Sequence, residues 1–415
     1  LIDIDFILGL NLFEGFTMGY KVEAGKIIPP EVLEQMKTSK LSSDSLISKV
    51  DEFVRTINDP RSRGGRISLH DHVMSALAVF VFKQPDLLAF GSLLEEGVAR
   101  ENVEKIFNIS NIPSDTSMRE MIDQIDTAKL NPIFPLLFKY ARDNGALNDL
   151  RSPDGGYTLA LDGTGYFSSN EIHCEHCLEK KYKDGTTTFY HQMIAGVLVK
   201  PGVRGVFPIG CEQIIKQDGN EKNDCEKNAS GRFLERIRED FPRTDFTVIE
   251  DGLSSNAPHI KALIDLKFSF ILVAKPGDHK FLFEKVEEKM QDDSLSSHGY
   301  TDEKGNTYHY LFANDMPLNA SHQGVKVNFL SHWIEGKDGK ETYTCTWITD
   351  KPLSIKSVED IARRGRARWK IENETFNTLK NNGYNFEHNF GHGYKYLASN
   401  FTQLMLIAFL IDQIR

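Results

Sequence analysis

Residues 157–169, YTLALDGTGYFSS, decide how the rest of the chain is read. An apolar, β-rich run carries a single acid, Asp162, to its end and then turns polar at a glycine. That is the pattern of a buried strand delivering a carboxylate to its edge. The same ending recurs in TVIEDGLSS, residues 247–255, where Asp251 follows an apolar run and precedes a glycine. Taken singly, each Asp-Gly pair is a turn signal. Taken together they are more than that, because a charge at the end of a buried strand costs desolvation unless something compensates it. A divalent cation is the usual compensator for carboxylates without a basic neighbour in sequence.

Working outward, residues 187–199 (TTFYHQMIAGVLV) and 204–210 (RGVFPIG) continue the β texture and predict a run of antiparallel strands. Then follow a helix in DCEKNASGRFLERIREDF, the strand TDFTVIED, a helix in NAPHIKALIDLK and the strand FSFILVAKPG, with one more helix at 280–294. Strand, helix, strand, helix, strand after a meander predicts an α/β fold, a mixed sheet covered by helices. Before residue 150 the apolar spacing is helical, as in HVMSALAVFVF and NPIFPLLFKYAR. Ser117 and Glu120 there have the form of a capping box, His70 and His72 read as capping-region polar residues, and the basic segment 60–66 reads as a solvated turn. From 295 to 350 the strands TYHYLFA, VKVNFLSHWIE and TYTCTWIT dominate, and helical pattern resumes near 357 and runs through LKNNG. The predicted organisation is a helical N-terminal domain at 1–150 and a core at 151–294. A β-rich insertion at 295–350, a further core helix at 351–395 and a C-terminal helix at 396–415 complete it.

Composition narrows the class. Of the 415 residues 40% are hydrophobic and 26% charged, which suits a globular chain and argues against wholesale disorder. Five cysteines argue against a disulfide framework. The longest apolar run, LMLIAFLI at 404–411, falls short of the roughly 20 residues of a membrane span, so no membrane partner is expected and the cytosol is the expected compartment. The chain opens on Leu1 rather than methionine, a sign of processing or trimming. Net charge is −10, which excludes a generally sticky basic protein, yet IARRGRARWK at 361–370 holds Arg363, Arg364, Arg366, Arg368 and Lys370 without an acid.

A third carboxylate, Glu372, follows that basic run. Arg364, Arg368 and Glu372 are spaced i, i+4, i+8 and fall on one helix face. Two strand-end aspartates and a helix glutamate suit two-metal phosphoryl transfer, since Mg²⁺ takes oxygen ligands and three carboxylates can hold two ions about 3.5–4 Å apart. The arginines would hold phosphates.

On these residues the chain resembles the DDE-type insertion-sequence transposases, whose catalytic core is RNase H-like. The resemblance runs from about 150 to 395, through LALDGTGYFSS, QDGNEKNDCEKNA, VIEDGLSSNAPHI, ILVAKPGDHK and RARWKIENETFNTLKNNGYNFEHNFGHG. It implies that Asp162, Asp251 and Glu372 are the catalytic, metal-binding triad, holding Mg²⁺ with Mn²⁺ as a substitute. It implies DNA contacts by Arg364, Arg366, Arg368, Lys370 and Lys380, an insertion domain at 295–350, and DNA-end binding or dimerisation by the N-terminal domain at 1–150. It further implies hydrolysis at the transposon ends, strand transfer of the 3′-hydroxyl to target DNA, a homodimer on paired ends, and a nucleoid-associated bacterial protein. The family signature has a tyrosine where this chain has Gly365, and its lysine falls on Leu379, one place before Lys380. Glu372 is preferred to Glu374 because it keeps the arginine spacing. Alternatives are a domesticated RNase H-like nuclease and a catalytically inactive DNA-binding relative. Trp333 and Trp347 are candidate base-stacking residues, with a core role as the simpler reading.

Two histidine-bearing motifs remain. HCEHC at 173–177 sets Cys174 and Cys177 in a C-x-x-C, with His173 and His176 alongside and His191 and Cys225 within reach. No second ligand pair stands at zinc spacing, so the sequence favours a polar hairpin with reduced cysteines over a zinc site. FEHNFGHG at 386–393, with Glu387, His388 and His392, reads as a structural or DNA-contacting loop.

Overall fold

The structure, a computed structural model, describes residues 40–62, 65–216, 225–388 and 390–414. The first 39 residues of the helical N-terminal segment, part of the 60–66 turn, Asn389 of the FEHNFGHG loop and residues 217–224 of the QDGNEKND stretch lie outside the described residues.

Six helices open the described chain: α1 Ser43–Val54, α2 Leu69–Val81, α3 Leu87–Leu93, α4 Gly97–Ile106, α5 Asp115–Ile122 and α6 Ile133–Asp143. Short polar residues start four of them. The side chains of Ser42, Ser68, Asp86 and Ser114 accept from backbone N–H groups one turn on. Ser114 is therefore the cap of α5, and the predicted capping box of Ser117 and Glu120 lies inside the helix instead. His70 and His72 lie in the first turn of α2, where His72 Nδ1 stands 2.6 Å from the carbonyl of the cap residue Ser68, and both are buried because α2 is apolar on nearly every face and is wrapped by its neighbours. His72 Nε2 meets Ser117 Oγ at 3.0 Å, and Asp71 accepts from the N–H groups of Ser110 and Asn111.

Ten strands form one mixed sheet: β1 Tyr157–Ser169, β2 Leu178–Lys181, β3 Thr187–Val199, β4 Phe207–Ile214, β5 Phe246–Glu250, β6 Ser269–Val273, β7 Ser296–Thr301, β8 Thr307–Pro317, β9 Lys326–Glu335 and β10 Glu341–Thr349. Their order is β2-β3-β1-β5-β6-β10-β9-β8-β7, with β4 also on β3. β1, β5 and β6 are parallel, and β3 runs antiparallel to both β1 and β4. Parallel neighbours need crossovers, supplied by α7 Glu226–Asp240 and α8 Ala257–Asp265. A further helix, α9 Lys280–Gln291, leads into β7. The β-rich 295–350 segment supplies β7 to β10, and β10 pairs directly with β6, so these four strands continue the central sheet.

After β10 the predicted single helix is interrupted at 367–368 and rewound at 371–376. Helix α10, Val358–Arg366, ends in a turn, residues 371–376 wind as a π-helix, and α11, Asn377–Asn381, completes the segment. π-Turns inside helices frequently mark functional sites, and this one carries Glu372. The last helix, α12 Leu397–Ile414, is long and apolar enough to span a membrane by length and composition, yet 83% of it is buried inside the protein. It sits against α1, α2, α5, α6 and β4 as core of the N-terminal helical layer rather than as an appended element. The Asp123 carboxylate starts it from outside, accepting N–H bonds from Tyr394, Lys395, Tyr396 and Leu397.

Candidate active site

The parallel register decides the site. Ala160 on β1 lies opposite Ile249 on β5, so Asp162 and Asp251, each two residues further along, leave these neighbouring strands at the same end of the sheet and on the same face. Asp162 accepts from the Gly163 N–H at 2.9 Å, and Asp251 caps the short turn Gly252–Ser254 through the Leu253 N–H at 3.0 Å. The neighbouring Glu250 points inward instead, nearly fully buried, with His259 Nε2 at 2.6 Å and hydroxyl donors from Ser230 and Ser254.

Glu372 joins from the π-helical turn. Arg368 Nη1 donates to Asp162 Oδ2 at 2.9 Å and to Glu372 Oε1 at 2.8 Å, and Asp251 adds its field to the same guanidinium. Glu372 is half-exposed at the mouth of the site, within hydrogen-bond reach of Asp162. Burial pushes the Asp162 carboxyl up to about 7; Arg368 opposes the rise and the Glu372 carboxylate adds to it. One arginine thus serves several crowded carboxylates, which leaves uncompensated negative charge for a hard cation.

Sequence reasoning missed a fourth acid. Glu226, in the first turn of α7, lies over the Cα of Gly163, where an added Cβ would come within 2.5 Å of its carboxylate oxygen. Burial, and then Asp251, raise its carboxyl above the ordinary range. The only local signal is an acid at a helix start, which is also a common dipole preference.

The basic run divides by face. Arg364 is 2% exposed and is not a DNA contact. Its Nε donates to Thr158 Oγ1, Nη1 to Asp154 Oδ2 and Nη2 to Thr247 Oγ1, which locks α10 onto β1 and β5. Lys370 is also buried, and burial holds its ammonium below the ordinary range. Lys380 is paired with Glu387 at 2.7 Å. Arg363 and Arg366 are exposed, and with Arg204, Lys370, Trp369 and Glu374 they line a cavity of about 360 Å³. Arg366 also lies over the Tyr343 ring at 4.3 Å. Glu374 lines that cavity, whereas Glu372 is the acid that Arg368 ties to Asp162.

Gly365, where the family signature has tyrosine, is explained by its neighbour. A Cβ there would meet Trp347 Nε1 at 2.6 Å and Cε2 at 2.8 Å. Trp347 is a buried core residue, and half-buried Trp333 stacks on His309 at 4.8 Å. Gly365→Ala is expected to destabilise the protein by about 1–3 kcal/mol in urea unfolding, overpacking outweighing the helix-propensity gain. Adding Trp347→Phe should recover part of that loss, since the indole N–H has no partner to lose.

The buried His259–Glu250 pair gives a pH signature beneath the site. Burial lowers the His259 imidazole, but the Glu250 charge and hydrogen bond overcome it, and the net shift is upward from 6.5. A raised folded value means that this stability is fully present below pH 6.5 and is lost as pH rises through the folded value. Wild type should therefore lose more stability than His259→Gln between pH 6 and pH 9, by about 1 kcal/mol in urea midpoint terms.

A second cluster lies across the sheet's β2 side. Cys174, Cys177, His191 and His392 each offer a ligand atom, all within 4.8 Å of one another, and could hold a metal ion. Of the residues around HCEHC, His173 stacks on Phe189 and His176 on Tyr396, and exposed Cys225 stands outside the group. The sequence preference for a metal-free polar hairpin rested on the missing second ligand pair. Lone histidines 14 and 215 residues from Cys177 supply that pair in space. Hydrogen bonding to Cys177, then His191, draws the Cys174 thiol well below its ordinary value, while Cys177 is pushed up.

Compared with known proteins, the chain matches no family model and no curated protein.

Proposed function

We propose that the chain is a metal-dependent DNA transposase of the DDE type, built on an RNase H-like core of β4-β3-β1-β5-β6. What supports the reading is one convergence: strand register brings Asp162 and Asp251 to the same end of the sheet, and Arg368 ties Glu372 to Asp162. Asp162, Asp251 and Glu372, with Glu226 over Gly163, offer only carboxylate oxygens, the donor chemistry that Mg²⁺ or Mn²⁺ takes. Bound there, such ions supply activation of the attacking oxygen and stabilisation of the leaving one.

The chain's own residues do the rest. Arg368 orients two carboxylates and offsets their repulsion. Arg363, Arg366 and Arg204, beside the exposed Trp369, offer phosphate contacts and a stacking surface for DNA. In the first reaction water attacks a phosphodiester at the transposon end and frees a 3′-oxygen. In the second that 3′-hydroxyl attacks target DNA, and the displaced strand's 3′-oxygen leaves with the proton. The reading places a homodimer on paired ends.

A precut duplex ending in the element's terminal repeat, incubated with the protein, target plasmid and Mg²⁺ or Mn²⁺, tests this. Joined product is the expected result. Cleavage of an uncut end with no joining of a precut one would point to a nuclease.

A further inference from the structure

We propose that Cys174, Cys177, His191 and His392 form a structural zinc site that fastens the loop following the Glu372 segment to the sheet. This inference stands apart from the transposase reading, since it uses none of the carboxylates.

The argument is geometric. Tetrahedral zinc with Zn–S of about 2.3 Å and Zn–N of about 2.0–2.1 Å requires edges of about 3.8 Å for S–S, 3.6 Å for S–N and 3.3 Å for N–N. The Cys174 and Cys177 sulfurs are 3.9 Å apart. His191 Nε2 is 3.4 Å from each sulfur, and His392 Nε2 is 3.3 Å from Cys177 Sγ and 3.1 Å from His191 Nε2. Five of the six edges agree with the tetrahedron to within about 0.3 Å, and the sixth, Cys174 Sγ to His392 Nε2, lies within 4.8 Å.

Hydrogen bonding alone does not account for the set. A ring nitrogen has one in-plane proton or one lone pair and so serves one linear bond. His191 Nε2 has three partners at 3.1–3.4 Å. A central ion lets all four donors aim at one point. Both histidines present the same nitrogen, and His392 Nδ1 faces the Gly393 carbonyl at 3.2 Å, an outer contact that fixes the ring of a metal-bound histidine.

Four protein ligands, three of them buried, leave no open coordination position, which marks a structural rather than a catalytic metal. The site would join three stretches. Cys174 and Cys177 lie between β1 and β2, His191 is on β3 opposite Phe167, and His392 stands in the loop between α11 and α12. Strands β1 and β3 also carry Asp162 and its partner Ala195. A zinc clamp therefore holds the chain after Glu372 against the strand that presents Asp162.

The test is metal analysis of the purified full chain by inductively coupled plasma mass spectrometry, with Cys174→Ser and His392→Ala, and Cys225→Ser as a control. About one zinc per chain is expected in wild type and in the control, with at least about 100-fold weaker zinc binding in the two ligand variants. If a ligand variant does not fold, Co²⁺ added to metal-stripped wild type decides instead. Intense tetrahedral visible bands with thiolate-to-cobalt charge transfer are expected. Folded wild type with less than about a tenth of an equivalent of zinc and no such cobalt spectrum would overturn the proposal. So would zinc retained in both ligand variants, or a Cys174–Cys177 disulfide in the freshly purified chain.

Discussion

Asp162→Asn and Glu372→Gln are each expected to reduce cleavage and joining at least about 10³-fold while end binding persists. Each change removes one oxygen ligand's charge and keeps its shape, so the loss is assigned to chemistry rather than to folding. Asp162 is the more sensitive position. It is more buried than Glu372 and is held by both the Gly163 N–H and Arg368. Its substitution removes the charge of one of the two carboxylates that Arg368 Nη1 holds. Glu226→Gln should cost less, because Glu226 reaches the group across Gly163 from a separate helix. Gel-shift binding and strand transfer, measured on the same preparations, separate the two effects.

The second large effect sets two neighbouring arginines apart. Arg364→Ala should destabilise the fold by about 2–4 kcal/mol, since it deletes a buried guanidinium that holds the Thr158 and Thr247 hydroxyls and the Asp154 carboxylate. Arg364→Lys should recover little, because an ammonium does not reproduce the three-way fork. Arg366→Ala should leave the unfolding midpoint within about 0.5 kcal/mol and weaken DNA binding, with a shallower salt dependence. Equal stability losses for the two alanine variants would refute the division of the basic run into a structural and a DNA-facing side.

That division shows where the sequence stops being informative. The arginine ladder of Arg364, Arg368 and Glu372 identifies one helix face, but not which face meets the sheet. Ile361 and Gly365 turn the Arg364 side inward, and Asp154, 210 residues away, receives it. The strand-end acids were legible because a buried strand ending in Asp-Gly is a local pattern. Their adjacency was not, because register depends on β1 and β5 pairing across the intervening chain. Glu226 carries no motif at all and matters only through the space above Gly163. The extension of the sheet through β10 escaped notice for the same reason: pairing with β6 is set by packing and not by the texture of 341–349. The Cys/His cluster was half legible, since C-x-x-C is a local pair, whereas His191 and His392 are solitary in sequence and meet it only in the fold.

The most direct measurement is a crystal structure of the protein soaked in Mn²⁺, with anomalous scattering recorded above the manganese edge. Peaks bounded by the carboxylates of Asp162, Asp251 and Glu372, with Arg368 displaced from at least one of them, are predicted. Manganese absent from this cluster at millimolar concentration, with Glu372 still paired to Arg368, would contradict the account.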